Sequence, residues 1–186
     1  MTREASATRF SLLAVTMHWL TFALLVFIYL SGELHDSFAR DNALREFTDN
    51  SHTTLGLILF LLVVLRWYVM RRSVAPPIKP EPPKWQLAFS ALVKKLLYVF
   101  LFAAPLSGWI FLSADGALIT IGAFPVPSVA PESRELAELS NSLHFLISTA
   151  GYAIIFVHVI GALYQHYLGK NDTLRRMQPR IFNRGG

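Results

Sequence analysis

Five of the six histidines in this chain lie in or beside long apolar runs. His18 interrupts SLLAVTMHWLTFALLVFIYL, residues 11–30, and His52, His144, His158 and His166 belong to later runs of the same kind. An ionisable ring in such a setting is costly and usually functional. A lone imidazole can hydrogen-bond across a helix pair, but several together fit a metal. One ring nitrogen then binds the metal, while the other donates to a neighbour and fixes the ring. His35 stands apart, among acidic residues, and reads as a solvated loop residue. The chain has no cysteine. That excludes thiolate-held iron–sulfur clusters, c-type haem attachment, disulfides and a thiol nucleophile.

The elements that must position these rings follow from the composition. The chain is 53% hydrophobic and only 16% charged, against about 25% charged in a soluble domain. Four runs approach the roughly 20 apolar residues that cross a bilayer. They cover about 10–31, 51–70, 95–113 and 142–168. The expected fold is an all-α membrane protein, one bundle of four transmembrane helices over residues 1–186. The first run is too long for the core of a signal peptide and lacks a small-residue cleavage site, so it reads as the first span. Pro105 and Gly108 fall inside the third span, where neighbouring helices can re-satisfy a kinked backbone. No internal repeat is evident.

The connections alternate in charge. Residues 32–50 hold five acidic and two basic groups, and residues 113–142 hold four acidic and one basic. Residues 66–95 hold seven basic groups against Glu81, and the tail after Leu168 holds five against Asp172. The positive-inside rule therefore predicts cytoplasmic N- and C-termini, a cytoplasmic Pro-rich loop over 71–94, and two outward loops. In a bacterium the outward side of the inner membrane is the periplasm. The stretch APPIKPEPP favours an extended strap. The second outer loop is partly apolar and is expected to lie along the membrane surface or cap the bundle.

Depth pairs the histidines. His18 lies roughly 12 Å into span one from the basic side, and His158 roughly 15 Å into span four from the same side, at 1.5 Å per residue. His52 and His144 open spans two and four from the acidic side. His144 and His158 are 14 residues apart and so share one face, roughly 21 Å apart along it. Gly151 lies midway on that stripe, Gly56 follows His52 by four, and Gly161 follows His158 by three. These glycines leave room either for a flat macrocycle or for close helix packing. Two pairs at two depths describe two haems, each clamped between helices, since neutral imidazole suits haem iron and a four-helix bundle can hold cofactors in its core. A zinc or copper transporter would call for carboxylate, thiolate or closely clustered histidine ligands, and the spans hold none.

At these residues the sequence resembles the bacterial cytochrome b561 family of four-helix, di-haem membrane cytochromes. The pieces that carry the likeness are MHWL, SHTTLG, LLYVFLFAAPLSG, the LH that opens span four, and VHVIGALYQHYLGKNDTLRRM. SADGALITIGAFPVP also looks like one branch of the family. The resemblance implies His18, His52, His144 and His158 as axial ligands of two haem b groups. Some members, including the superoxide oxidase type, have a histidine at the entry to span three. Here VKKLLY puts Lys94 in that place, which weakens residue-level transfer of a quinone or substrate site.

The resemblance implies electron transfer between the periplasmic side and the quinone pool, with ubiquinone as acceptor. The donor would be superoxide, as in a superoxide:quinone oxidoreductase, or a periplasmic redox protein. The alternative is a haem-b membrane anchor that passes electrons for a partner dehydrogenase. His166, Arg66, Lys94 and Lys95 are expected near the cytoplasmic face, where they could bind propionates, a quinone carbonyl or lipid phosphates. Trp67, Tyr68 and Trp109 read as interfacial belt residues rather than redox relays. Membrane lipid is an expected partner; nucleic acid is not.

Overall fold

In the computed structural model the described residues are 9–178, apart from Asp36, Arg40 and Val74. Four long helices make the molecule: α1 (Leu12–His35), α2 (Ala43–Arg72), α3 (Lys84–Ala114) and α4 (Arg134–Tyr167). All four are long and apolar enough to cross a membrane. Between α3 and α4 a small antiparallel hairpin pairs β1 (Thr120–Ile121) with β2 (Phe124–Pro125). His35 closes α1, and its side chain lies outside the described residues.

Three helices begin earlier than the apolar runs predict. α2 starts at Ala43 rather than near 51, α3 at Lys84 rather than near 95, and α4 at Arg134 rather than near 142. The reason is physical. Hydropathy marks only the slab-crossing part, whereas the helix continues into the interface until a cap stops it. Asn42 caps α2 by accepting from the Leu44 amide at 2.9 Å, and Ser133 caps α4 by accepting from Leu136 at 3.3 Å. The connection expected over 71–94 shrinks accordingly, and Lys94 and Lys95 become helical, exposed residues of α3.

α1 packs on α2 and α3 on α4, as two hairpins, and α2 packs on α3 to join them. Leu59, Val63, Phe100, Leu101 and Ala104 form the core of that joint. Across the bundle α1 and α4 meet through large side chains, with the Tyr29 and Tyr152 rings 4.3 Å apart. Large apolar side chains such as Leu61, Phe145 and Phe156 point outward, as a lipid solvent allows. A Cβ on Gly151 would run into the Phe100 ring and the Tyr29 hydroxyl. That glycine therefore lets three helices close on one another. Gly56 and Gly161 have open space where a Cβ would go.

The polypeptide after α4 is also built in. The backbones of Asp172 and Lys79 join at 3.0 Å, and the Asp172 carboxylate accepts from the Lys79 amide at 2.9 Å. Trp19 donates to the Met177 carbonyl at 2.8 Å. Arg176 is buried against Phe10 and donates to the Pro76 carbonyl. Burial draws its guanidinium pKa down from the usual arginine value, and Asp172 opposes that shift. The basic tail thus clasps the Pro-rich strap to the start of α1.

Candidate functional site

The bundle brings the histidines together at two levels. At the acidic end, His52 of α2 and His144 of α4 face each other with ring centroids 6.0 Å apart. At the basic end, His18 of α1 and His158 of α4 face each other at 6.3 Å. His52 is nine residues into α2 and His144 ten residues into α4. Both sit deeper in their helices than the apolar runs suggest, yet at matching depth.

A metal held on opposite sides by two imidazoles, with metal–nitrogen bonds of about 2 Å, puts the ring centres roughly 6 Å apart. Both pairs meet that spacing. No group of three or more His, Cys, Asp or Glu able to hold a metal occurs among the described residues. Two protein ligands per metal leave the remaining positions to something the metal brings with it. A planar macrocycle with four equatorial nitrogens fits that need.

The acidic-end pair is held in a repeated way. Nδ1 of His52 donates to the Ile28 carbonyl at 3.0 Å, and Ser31 Oγ donates to the same carbonyl at 2.9 Å. Nδ1 of His144 donates to the Ala104 carbonyl at 2.8 Å, and Ser107 Oγ donates to that carbonyl at 2.8 Å. One residue on, a Cβ at Gly32 would lie 3.2 Å from the His52 ring, and a Cβ at Gly108 would lie 3.2 Å from the His144 ring. A carbonyl can only accept, so both rings carry their proton on Nδ1 and leave the Nε2 lone pair available to a metal. The tripeptide Leu-Ser-Gly occurs at 30–32 and again at 106–108. That recurrence is the mark the cradle leaves in the sequence.

Around this pair lies a cavity of about 730 Å³, inside the roughly 300–1,000 Å³ range of small-molecule and cofactor sites. Gly56 lines it beside His52, and Glu33 and Asp49 bring acidic groups to its wall. Trp109 lines it too, and its indole donates to the Pro127 carbonyl at 3.1 Å. Trp109 thus ties the connection between α3 and α4 to α3. The guanidinium groups of Arg71 and Arg72 lie 4.5 and 4.8 Å from the ring centres of Trp67 and Tyr68.

The basic-end pair is surrounded differently. Nη2 of Arg66 lies 3.1 Å from His18 Nδ1. Guanidinium only donates, so here Nδ1 is the acceptor. Nε of Arg66 is buried without a hydrogen-bond partner. A buried cation with an unspent N–H is a receptor for an anion such as a carboxylate. His166 is half-buried, and its Nδ1 donates to the Asn171 carbonyl at 3.3 Å, which ties it to the clasp. Lys94 and Lys95 remain exposed. Tyr29 and Tyr152 line the acidic-end cavity; their hydroxyls donate to the Ser148 carbonyl at 2.8 Å and the Glu33 carboxylate at 2.6 Å.

Residues 9–180 match the family described as prokaryotic cytochrome b561. The chain is 31% identical over 173 residues to cytochrome b561 homolog 1 of Escherichia coli (strain K12), covering 92% of this chain and 98% of that protein. It is 28% identical to cytochrome b561 homolog 2 of the same organism, over 91% of this chain and 90% of that protein. It is 26% identical to a Yersinia pestis protein named probable superoxide oxidase CybB, over 92% of this chain and 97% of that one.

Proposed function

The chain belongs to the prokaryotic cytochrome b561 family, whose members transfer electrons through haem b in a membrane, and on that premise we propose that it is a two-haem conduit between a donor at the acidic end and the quinone pool at the basic end. The observation that carries this reading is the pair of facing imidazole couples, 6.0 and 6.3 Å apart, at opposite ends of one bundle.

His52 and His144 would hold one haem b, and His18 and His158 the other. Held between two imidazoles, haem b would supply one-electron exchange rather than oxygen binding. The carbonyls of Ile28 and Ala104 orient the acidic-end ligands, and Gly32 and Gly108 let those rings approach. A ring that coordinates through Nε2 keeps its proton on Nδ1, so His18 cannot accept from Arg66 while it binds a metal. The guanidinium then turns to a carboxylate, and its unpartnered Nε suits a haem propionate. His166, Lys94 and Lys95 are the further donors at this end for a second propionate or a quinone carbonyl.

The charge of the connections supports an acidic end facing the periplasm and both termini in the cytoplasm of a bacterial inner membrane. Superoxide or a periplasmic redox protein would give up one electron at the acidic end. Two such electrons, with two protons from water at the basic end, reduce one ubiquinone to its quinol. The name of the Yersinia pestis relative supports superoxide as the donor to test first.

The test has two stages. A reduced-minus-oxidised spectrum with the haem-to-protein ratio should give two b-type haems per chain; a ratio of one removes half the scheme. Purified protein should then reduce ubiquinone when superoxide is supplied. Turnover that needs a soluble redox partner instead would reassign the donor.

A further inference from the structure

The two hairpins repeat each other. Gly32 and Gly108 occupy the same place on α1 and α3, and His52 and His144 the same place on α2 and α4. The register extends beyond the cradle. Met17 and Val93, each fifteen residues before its glycine, are both buried. Thr48 and Ser140, each four residues before its histidine, are both buried and donate into the preceding turn, Thr48 to the Arg45 carbonyl at 2.8 Å and Ser140 to the Leu136 carbonyl at 2.5 Å.

Carried to the basic end, the same register makes a specific pairing. Fourteen residues before Gly32 stands His18, and fourteen before Gly108 stands Lys94. Fourteen residues after His52 stands Arg66, and fourteen after His144 stands His158. Each hairpin therefore places one imidazole and one cation at this level, on exchanged helices. In the first hairpin the two touch, with Arg66 at 3.1 Å from His18. In the second, the register puts the exposed Lys94 at the level of His158. The acidic-end cavity instead has Glu33 and Asp49 in its wall.

We propose that Arg66 and Lys94 are equivalent positioning cations, one per hairpin, that raise the reduction potential of the basic-end site above that of the acidic-end site and so direct electrons from the acidic end to the basic end. A site that gains an electron becomes more negative. A fixed positive charge beside it stabilises the reduced state, and a fixed negative charge destabilises it, the more so the better the charge is shielded from solvent. Arg66 is half-buried and acts from within the bundle, while Lys94 acts from its exposed flank. The electron lost by the donor at the acidic level is gained at the basic level, and no proton moves in that step.

The inference rests on the two-site reading above, and the two can fail separately. The haem-to-protein ratio is measured first on the purified, haem-loaded protein; a value other than two ends the two-site reading. With a ratio of two, a spectroelectrochemical titration resolves two one-electron steps. His144→Ala, which strips the acidic-end site, should retain the higher step, and His18→Ala should retain the lower. Arg66→Gln and Lys94→Gln should each lower the higher step and leave the lower one in place. The expected change is about tenfold in the electron distribution between the sites, which is 59 mV for a one-electron couple. Arg66→Lys should restore most of it, because charge rather than shape carries the effect. If Arg66→Gln does not accumulate as folded protein, Lys94→Gln, an exposed residue, carries the test alone. A reversed order of potentials, or cation variants that move neither step, would overturn the proposal while the haem count stood.

Discussion

At the acidic end each imidazole leans on a backbone carbonyl of the neighbouring helix in its own hairpin; at the basic end His18 faces a guanidinium. The chemical consequence is opposite in sign. A carbonyl accepts, so it fixes the ring proton on Nδ1 and leaves the Nε2 lone pair available to a metal. A guanidinium donates, so it draws the lone pair to Nδ1. The first pair is oriented by main-chain atoms that no substitution removes. The second depends on where the Arg66 side chain spends its N–H groups, and hence on an anion reaching it. One fold thus contains a histidine pair preset by backbone and a histidine pair set beside a charge.

The largest effects come from removing the ligands themselves. His52→Ala or His144→Ala should abolish the acidic-end haem and leave one haem per chain. His18→Ala or His158→Ala should leave the other one. The spectra of the two groups of variants should add up to that of the parent. If His18→Ala and His144→Ala lost the same haem, the division into levels would be wrong.

Next come the glycines, where the comparison extends to the core. A methyl at Gly32 or Gly108 meets its histidine ring at 3.2 Å, so the ring must give by a few tenths of an ångström. Ligand orientation of this kind is typically worth 10–100-fold in metal affinity, so Gly32→Ala and Gly108→Ala should each lower acidic-end haem retention by about tenfold or more. The repeat requires the two effects to be similar, and the basic-end spectrum should not change. Gly151→Ala breaks the molecule differently. Its methyl would press on Phe100 and Tyr29 between the levels, and overpacking costs about 1–3 kcal/mol. Thermal unfolding should shift down, with both haems lost together. A Gly151→Ala protein that lost only one haem would move that glycine from the core into a cofactor site.

The four spans, the charge alternation and the facing of His18 with His158 and His52 with His144 were all legible because each leaves a mark on residue type. Bilayer crossing demands apolar runs, and depth can be counted from their charged ends. The helix starts were not legible, since Asn42 and Ser133 end helices outside the apolar runs that hydropathy detects. The repeat was hidden for a related reason. Lipid-facing positions accept any large apolar residue, so the two hairpins retain likeness only where polar groups meet. Leu-Ser-Gly at 30–32 and 106–108 is what remains, and at the basic end the equivalent residues are not even of one type. The Gly151 reading stayed divided between macrocycle and packing because a glycine's neighbours are set by tertiary contact, not by its own spacing.

The smallest expected effect concerns the serines. Ser31 and Ser107 donate to the same carbonyls that receive the ligand Nδ1–H, at 2.9 and 2.8 Å. Their hydroxyls compete mildly for that oxygen's density, and each also lies 3.5 or 3.3 Å from its ring. Removing a hydroxyl leaves the carbonyl with its imidazole partner, so no buried group is orphaned and the cost should stay below about 1 kcal/mol. The ring N–H would then have the carbonyl to itself, which strengthens that hydrogen bond and makes the imidazole a better electron donor to the metal. Ser31→Ala and Ser107→Ala should therefore lower the acidic-end potential slightly, equally for both, with full haem content and no change at the basic end. This shift has the same sign as that of an acidic neighbour, and it would widen the gap between the two levels. A rise in potential, or a shift confined to one of the two serines, would mean that the hydroxyl touches the ring directly rather than through the shared carbonyl.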